Sequence, residues 1–150
     1  MKLDSVDSVL DFAIQKEQDA ADFYLELGNR MDRPYMKDVF LGFAKEEMGH
    51  KSKLMGVKSG KKLHASEKKV QDLKLAETLV EVELSAKMDY QDALIAAMNA
   101  EKAAYRLYSD LASATDNAEL QGLFKSLAQE EAKHKLRFEV EYDDHILKEN

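Results

Sequence analysis

The chain has no cysteine, no tryptophan and a single proline, Pro34. Without cysteine there is no disulfide, no thiolate nucleophile, no zinc–cysteine knot and no cysteine-ligated iron–sulfur cluster, so any metal must be held by oxygen and nitrogen. One proline and 6 glycines in 150 residues are too few for the turns of an all-β architecture. Positive charge is also short. With 22 Lys+Arg against 29 Asp+Glu, the net charge is −7, and a nucleic-acid partner has no electrostatic footprint. No apolar run approaches the ~20 residues that would span a bilayer. The opening Met1-Lys2-Leu3-Asp4-Ser5-Val6-Asp7 carries acid where a secretory leader would be apolar. The expectation is a soluble, cytoplasmic protein with neither membrane nor nucleic-acid partner.

What remains is 45% hydrophobic and 34% charged, the mixture of a folded, helix-rich globule. A chain of this length builds one core, and a single domain over residues 1–150 is expected. Apolar or small residues recur at helical steps in four stretches. The first runs through Val6, Leu10, Ala13, Ala20 and Tyr24, with Asp4 or Ser5 as N-cap, and ends before Pro34. The second has Asp32 as its expected cap and Pro34 in its first turn, where a missing N–H costs nothing. It presents Val39, Phe40, Phe43 and Leu54 and fades in Gly56-Val57-Lys58-Ser59-Gly60. The third opens at Asp89 with Asp92 three residues on, a variant of the capping box, and presents Leu94, Ala97, Met98, Ala104, Tyr105, Tyr108 and Leu111. The fourth, with Asp116 as expected cap and Glu119 behind it, carries Leu120, Leu123, Phe124, Leu127 and Phe138 and extends towards Ile146.

The joints near residues 31–34 and 114–117 are short and predict antiparallel hairpins. The stretch 58–88 is long enough to cross a bundle end to end. Its lysines (Lys58, Lys61, Lys62, Lys68, Lys69) read as a solvated face, and Asp72 to Val80 as a short outer helix. The predicted fold is an all-α, ferritin-like four-helix bundle with one long crossover between the second and third helices.

The sequence also repeats itself. A shift of 84 places lays Leu10 on Leu94, Ala13 on Ala97, Glu17 on Glu101, Ala20 on Ala104 and Tyr24 on Tyr108. The same shift lays Asp32 on Asp116, Phe40 on Phe124, Ala44 on Ala128, Glu47 on Glu131 and His50 on His134. Two copies of one hairpin, about 5–57 and 89–141, are expected to face each other across a pseudo-twofold axis.

Six ionisable residues interrupt the apolar stripes. Glu17 lies between Ala13 and Tyr24, and Glu101 between Ala97 and Tyr108. Glu47 follows Phe43 by four and His50 precedes Leu54 by four. Glu131 follows Leu127 by four and His134 precedes Phe138 by four. A single Glu at such a position usually reaches solvent, and a lone Glu-x-x-His is weak. The coincidence of all six is what counts. From Glu17 to Glu47 is 30 residues, as from Glu101 to Glu131. A chain that climbs and then descends at about 1.5 Å per residue returns each pair to one level.

Burying four carboxylates without partners costs many kcal/mol. Two divalent cations would contribute +4 against the −4 of Glu17, Glu47, Glu101 and Glu131. Carboxylate oxygen with imidazole nitrogen suits iron or manganese, not calcium or a closed structural zinc site. A metal-free structural bundle is the bland alternative.

With these residues in view, Glu17, Glu47-x-x-His50, Glu101 and Glu131-x-x-His134 resemble the di-iron site of the ferritin-like superfamily, most of all its rubrerythrin-type domains. That resemblance implies two iron ions per chain (manganese or a mixed pair being the variants). It makes Glu47 and Glu131 bridging ligands and Glu17 and Glu101 terminal ones, with one histidine for each metal. It implies a redox protein reducing H₂O₂ or O₂ with an external electron donor, and a homodimer. A ferroxidase or a bundle oxidising an organic substrate are the alternative activities. At the place of a further glutamate carried by rubrerythrins proper, this chain has Ala104, and it has no cysteine for a rubredoxin-like module.

Around the six, Tyr24 and Tyr108 are candidates to hydrogen-bond the site or to protect it from radicals, with a satisfied core tyrosine as the plain alternative. Glu46 and Glu130, about 100° around the helix, read as solvated or ligand-supporting carboxylates. Tyr105 and Phe23 read as packing, Met88 and Met98 as gap-fillers, and His64 and His145 as exposed.

Overall fold

The computed structural model describes residues 5–60 and 88–147. Four helices account for nearly all of them: α1 (Val6–Asn29), α2 (Pro34–Gly60), α3 (Tyr90–Ala114) and α4 (Ala118–Tyr142), the last continuing into a π-helical turn, Asp143–Leu147. The described residues contain no strand, and none of their helices is long and apolar enough to cross a membrane. The lysines from Lys61 to Lys69, His64 and the short helix expected at Asp72 to Val80 lie outside the described residues.

Local chemistry sets the helix starts. At α1, Ser5 Oγ accepts from the Ser8 amide and Ser8 Oγ from the Ser5 amide, both at 3.1 Å, a capping box closed by two serines. At α3, Asp89 Oδ1 accepts from the Asp92 amide at 2.8 Å. Two caps differ from expectation. Pro34 is itself the first helical residue of α2, and the Arg33 carbonyl accepts from the Lys37 amide at 3.1 Å. The cap position therefore falls on Arg33 instead of Asp32. At α4 the cap is Asn117, not Asp116: Asn117 Oδ1 accepts from the Leu120 amide at 3.0 Å. Asp and Asn cap about equally well. Thr115, whose Oγ1 accepts from the Asn117 amide at 3.3 Å, sets the phase of the turn.

The second helix also holds to Gly60 instead of fading from Gly56. Each glycine costs about 1 kcal/mol relative to alanine, but Val57 packs on the core and Lys58 pairs with Asp11 of α1. Near the other end of this hairpin, Gly28 permits close approach. A Cβ there would lie 3.3 Å from both Leu41 Cδ2 and the Lys37 carbonyl oxygen.

Side-chain pairs fix the helix directions. Tyr24 meets Glu101 and Tyr108 meets Glu17, so α1 and α3 run antiparallel. His50 meets Glu131 and His134 meets Glu47, so α2 and α4 do too. Each short joint reverses its own hairpin. Consequently α2 and α3 point the same way, and Gly60 and Tyr90 lie at opposite ends of the bundle. One long connection between the second and third helices is what this geometry requires.

The core forms two apolar clusters. One gathers Val9, Leu10, Ala13, Leu54, Leu107, Leu111, Leu120, Phe124 and Leu127. The other gathers Tyr24, Leu27, Met31, Phe40, Phe43, Tyr90, Leu94, Ala97 and Phe138. Many members are repeat mates: Leu10 with Leu94, Leu27 with Leu111, Phe40 with Phe124, Leu54 with Phe138. Phe23, Met88 and Met98 pack against the second cluster as expected. Tyr105 does not pack inside. It is 44% exposed, because its place at the edge of the α3 stripe buries the small side chain of its mate Ala21 but leaves a phenol ring outside. There it lines a surface groove of about 480 Å³ with Lys102, Arg106, Lys135 and Leu136. His145 is half-exposed but engaged, its ring tilted against Tyr35 with centroids 5.3 Å apart and its Nε2 3.3 Å from Glu141. Glu141 also accepts from Tyr35 (2.7 Å) and Tyr90 (2.5 Å). That bond to Glu141 and some burial push the Tyr35 hydroxyl up to about 12.

Phe138 is fully buried and contacts the rings of Phe40, Phe43 and Tyr24 at centroid distances of 6.0, 4.1 and 5.8 Å. Truncation there leaves a cavity, and Phe138→Ala is expected to cost ~3–5 kcal/mol in chemical denaturation.

Candidate metal centre

Between the two apolar clusters the six expected polar residues converge. Glu17, Glu47, Glu101, Glu131 and His134 are each at most 2% exposed, and the His50 side chain is 14% exposed at the rim. They arrive from all four helices: Glu17 on α1, Glu47 and His50 on α2, Glu101 on α3, Glu131 and His134 on α4. Helical spacing puts Glu47 with His50, and Glu131 with His134, on one face each.

The donors fall into two overlapping groups. One oxygen or nitrogen from each of Glu17, Glu47, His50 and Glu131 lies within 4.8 Å of the others. So do one atom each from Glu47, Glu101, Glu131 and His134. Glu47 and Glu131 belong to both groups. His50 Nδ1 is 3.1 Å from Glu131 Oε1 and 3.6 Å from Glu17 Oε2. His134 Nδ1 is 3.1 Å from Glu47 Oε1 and 3.3 Å from Glu101 Oε1. Despite this crowding, Glu17 Oε2, Glu47 Oε1, His50 Nδ1, Glu101 Oε2 and Glu131 Oε1 are buried without a hydrogen-bond partner. Close but misaligned donors and acceptors gain little from one another, whereas they suit a cation placed among them.

The tyrosines are part of this arrangement. Tyr24 of α1 donates to Glu101 Oε1 of α3, and Tyr108 of α3 donates to Glu17 Oε1 of α1. Each outer carboxylate thus has one oxygen held by the opposite repeat and the other, Oε2, unpartnered. Burial, followed by the charge of the same glutamates, raises both phenols well above their ordinary range. They remain protonated donors, the role in which a supporting hydrogen bond orients a ligand.

Glu46 does more than stay solvated. Its Oε2 lies 3.1 Å from His134 Nε2, and both its oxygens accept from Arg137 Nη1, at 3.2 and 3.0 Å. Arg137 in turn lies over the Phe43 ring at 4.4 Å. Nothing in the helical pattern singles out Arg137, because its partner is 91 residues away and its repeat mate is Lys53. Glu130 reaches Lys133 at 3.4 Å. A third grouping, His50, Glu130 and His134, also lies within 4.8 Å at the rim of the layer.

The fold and this set of donors define a class: four-helix bundles with a carboxylate–histidine centre at mid-height. The chain belongs to the rubrerythrin family, whose model matches residues 8–142. Among solved structures it is similar to "Hypothetical Protein Pfu-1136390-001" from Pyrococcus furiosus. The two share 24% sequence identity and a TM-score of 0.65, covering 90% of this chain and 86% of that one, a likeness of fold. A search of curated proteins finds no significant match.

The acid–base state of the layer follows from its burial. Burial first, then Glu101 and Glu17 beside them, push the Glu47 and Glu131 carboxyls well above the ordinary range, with His134 partly opposing this at Glu47. Burial alone would lower His134, but the Glu101 and Glu47 carboxylates outweigh it and lift the imidazole to about 10. All three groups hold protons more tightly folded than unfolded. The metal-free protein is therefore stabilised at low pH and loses that stabilisation as pH rises from the ordinary carboxylate range towards 10. Bound metal requires the deprotonated donors, so the loaded protein has the opposite slope. Thermal melts at about pH 6 and about pH 9, with chelator or with Mn(II), are expected to show Tm falling with pH in chelator and not in metal.

Proposed function

We propose that the layer holds two iron ions and that the protein is a non-haem di-iron oxidoreductase reducing H₂O₂ or O₂. The observation that carries this reading is the pair of four-donor groups sharing Glu47 and Glu131. Family membership supports it. By the same reading Glu47 and Glu131 bridge, Glu17 and Glu101 are terminal, and His50 and His134 serve one ion each. Bound iron would supply one-electron chemistry and open positions for a small oxidant. The chain supplies buried donors fixed on four helices and phenols that hold the outer carboxylates in place. Glu47 and Glu131, members of both donor groups, would be the carboxylates that adjust when the charge of a bound metal changes. The 150 residues include no cysteine-ligated electron carrier, and the proposed reaction takes an external electron donor.

A ferroxidase is the second reading, favoured by Ala104 at the place of the further glutamate of rubrerythrins proper. The two diverge in turnover. A peroxide or O₂ reductase consumes oxidant in proportion to a supplied electron donor. A ferroxidase oxidises many equivalents of Fe(II) with no other reductant.

The metal assignment is tested by composition. Protein loaded anaerobically with Fe(II) is expected to carry about two ions per chain and to melt higher than the metal-free form. Glu47→Ala and Glu131→Ala are each expected to lose most of the metal and most of that increment. Unchanged metal content in both variants would overturn the assignment. Glu47→Gln is expected to leave the metal-free protein as stable as the parent or more so, since it removes an acid from the core. Its loss would appear only in the loaded form.

A further inference from the structure

The two halves of the layer are repeats of one another in sequence but not in their support. His134 is clamped. Its Nδ1 faces Glu47 and Glu101, its Nε2 lies 3.1 Å from Glu46, and its ring packs edge-on against Phe43 at 5.0 Å. Arg137 fastens the clamp from outside, binding both Glu46 oxygens and lying over Phe43. The mates of these residues do not reproduce it. Phe43 corresponds to Leu127, which offers no ring face, and Arg137 to Lys53, whose compact ammonium lacks the guanidinium plane that lies over Phe43. Glu46 corresponds to Glu130, which reaches Lys133 at 3.4 Å and comes within 4.8 Å of His50 without forming an ion pair like the 3.1 Å one between Glu46 and His134. The His50 side chain is 14% exposed against 3% for His134.

We propose that Glu46 and Arg137 are positioning residues that make the two metal positions unequal. The position at His134, with Glu47, Glu101 and Glu131, fills first and holds its ion. The position at His50, with Glu17, Glu47 and Glu131, fills second, exchanges its ion with solvent and faces incoming small molecules. The inference rests on the di-metal reading above and adds an order of filling to it. Its physical basis is pre-organisation. A histidine whose second nitrogen faces an anchored carboxylate has its tautomer and ring plane set before the metal arrives. The His50 ring, stacked on His134 at 5.6 Å, has no such ion-pair partner at its second nitrogen among the described residues.

Mn(II) titration of the metal-free protein, with unbound ion counted by its EPR signal, tests this without reference to turnover. The parent is expected to bind two ions in two resolved steps. Glu46→Gln and Arg137→Lys are expected to weaken the first step by roughly 10–100-fold, the usual cost of losing such a supporting partner, and to leave the second within about threefold. Glu130→Gln is expected to move neither step by more than about threefold. In a His50→Ala background a single tight ion remains and still responds to Glu46→Gln. In a His134→Ala background the remaining ion is weak and does not respond. Glu46 and Arg137 are at the surface, so unchanged melting of the metal-free variants separates positioning from folding. Two indistinguishable steps in the parent, equal weakening of both steps by Glu46→Gln, or an equal effect of Glu130→Gln would overturn the proposal. No bound Mn(II) or Fe(II) at all would instead overturn the di-metal reading beneath it.

Discussion

Four carboxylates buried at one level of a helical bundle are the constraint from which the rest of the molecule follows. Each would cost several kcal/mol to bury ionised and alone, and their mutual repulsion adds to that cost. Opposite charge has to enter the layer. Protons do it in the metal-free chain, which is why Glu47, Glu131 and His134 all hold theirs above the ordinary range. Divalent cations would do it better, because each ion could satisfy several of the unpartnered oxygens and nitrogens together. The apolar clusters on either side supply what a dense polar layer cannot. They provide the hydrophobic burial that keeps the bundle folded around a locally unfavourable centre.

The pseudo-twofold arrangement turns one hairpin into a complete site. A single hairpin contributes two glutamates, a histidine and a tyrosine, but its phenol cannot serve its own outer glutamate. Tyr24 lies seven residues, about two turns, beyond Glu17 on the same helix and reaches Glu101 across the core, as Tyr108 reaches Glu17. The exchange ties α1 to α3, a pair joined by neither short turn. The hydrogen bonds that orient the outer carboxylates therefore also fix the relative height of the two repeats.

Much of this was legible in the residues because the signal was doubled. One Glu-x-x-His is a common accident on a helix, whereas two at the same offset, each matched to an inward Glu at equal spacing, are not. The apolar stripes showed in their helical period, and the hairpins and the long connection in the lengths of the joints between them. The features that escaped are those without a copy or with an equivalent neighbour. Arg137 has Lys53 as its mate and a partner on another helix, so no periodicity marks it. Asp116 and Asn117 cap equally well, and the turn geometry at Thr115 chose between them. Tyr105 follows the helical period, but a stripe's edge admits an alanine and expels a ring. Val57 and Lys58 held the end of α2 through contacts with residues of other helices, which a local reading of Gly56-Val57-Lys58-Ser59-Gly60 could not include.

Charge balance also bears on Ala104, the position at which the resemblance to rubrerythrins proper implies a further glutamate. Four carboxylates match two divalent ions, and a fifth at residue 104 would leave the reduced centre one charge negative inside an apolar core. Ala104 sits partly buried on the α3 stripe, one turn beyond Glu101, where an unbalanced acid would again need a proton or another cation. On the di-metal reading the six donors would be electrically complete for a reduced pair, and Ala104 would leave no defect in the layer. What it removes is a spare ligand for a metal whose charge has risen. On that reading, redox chemistry would have to accommodate the change through the carboxylates already present or at the less enclosed His50 side.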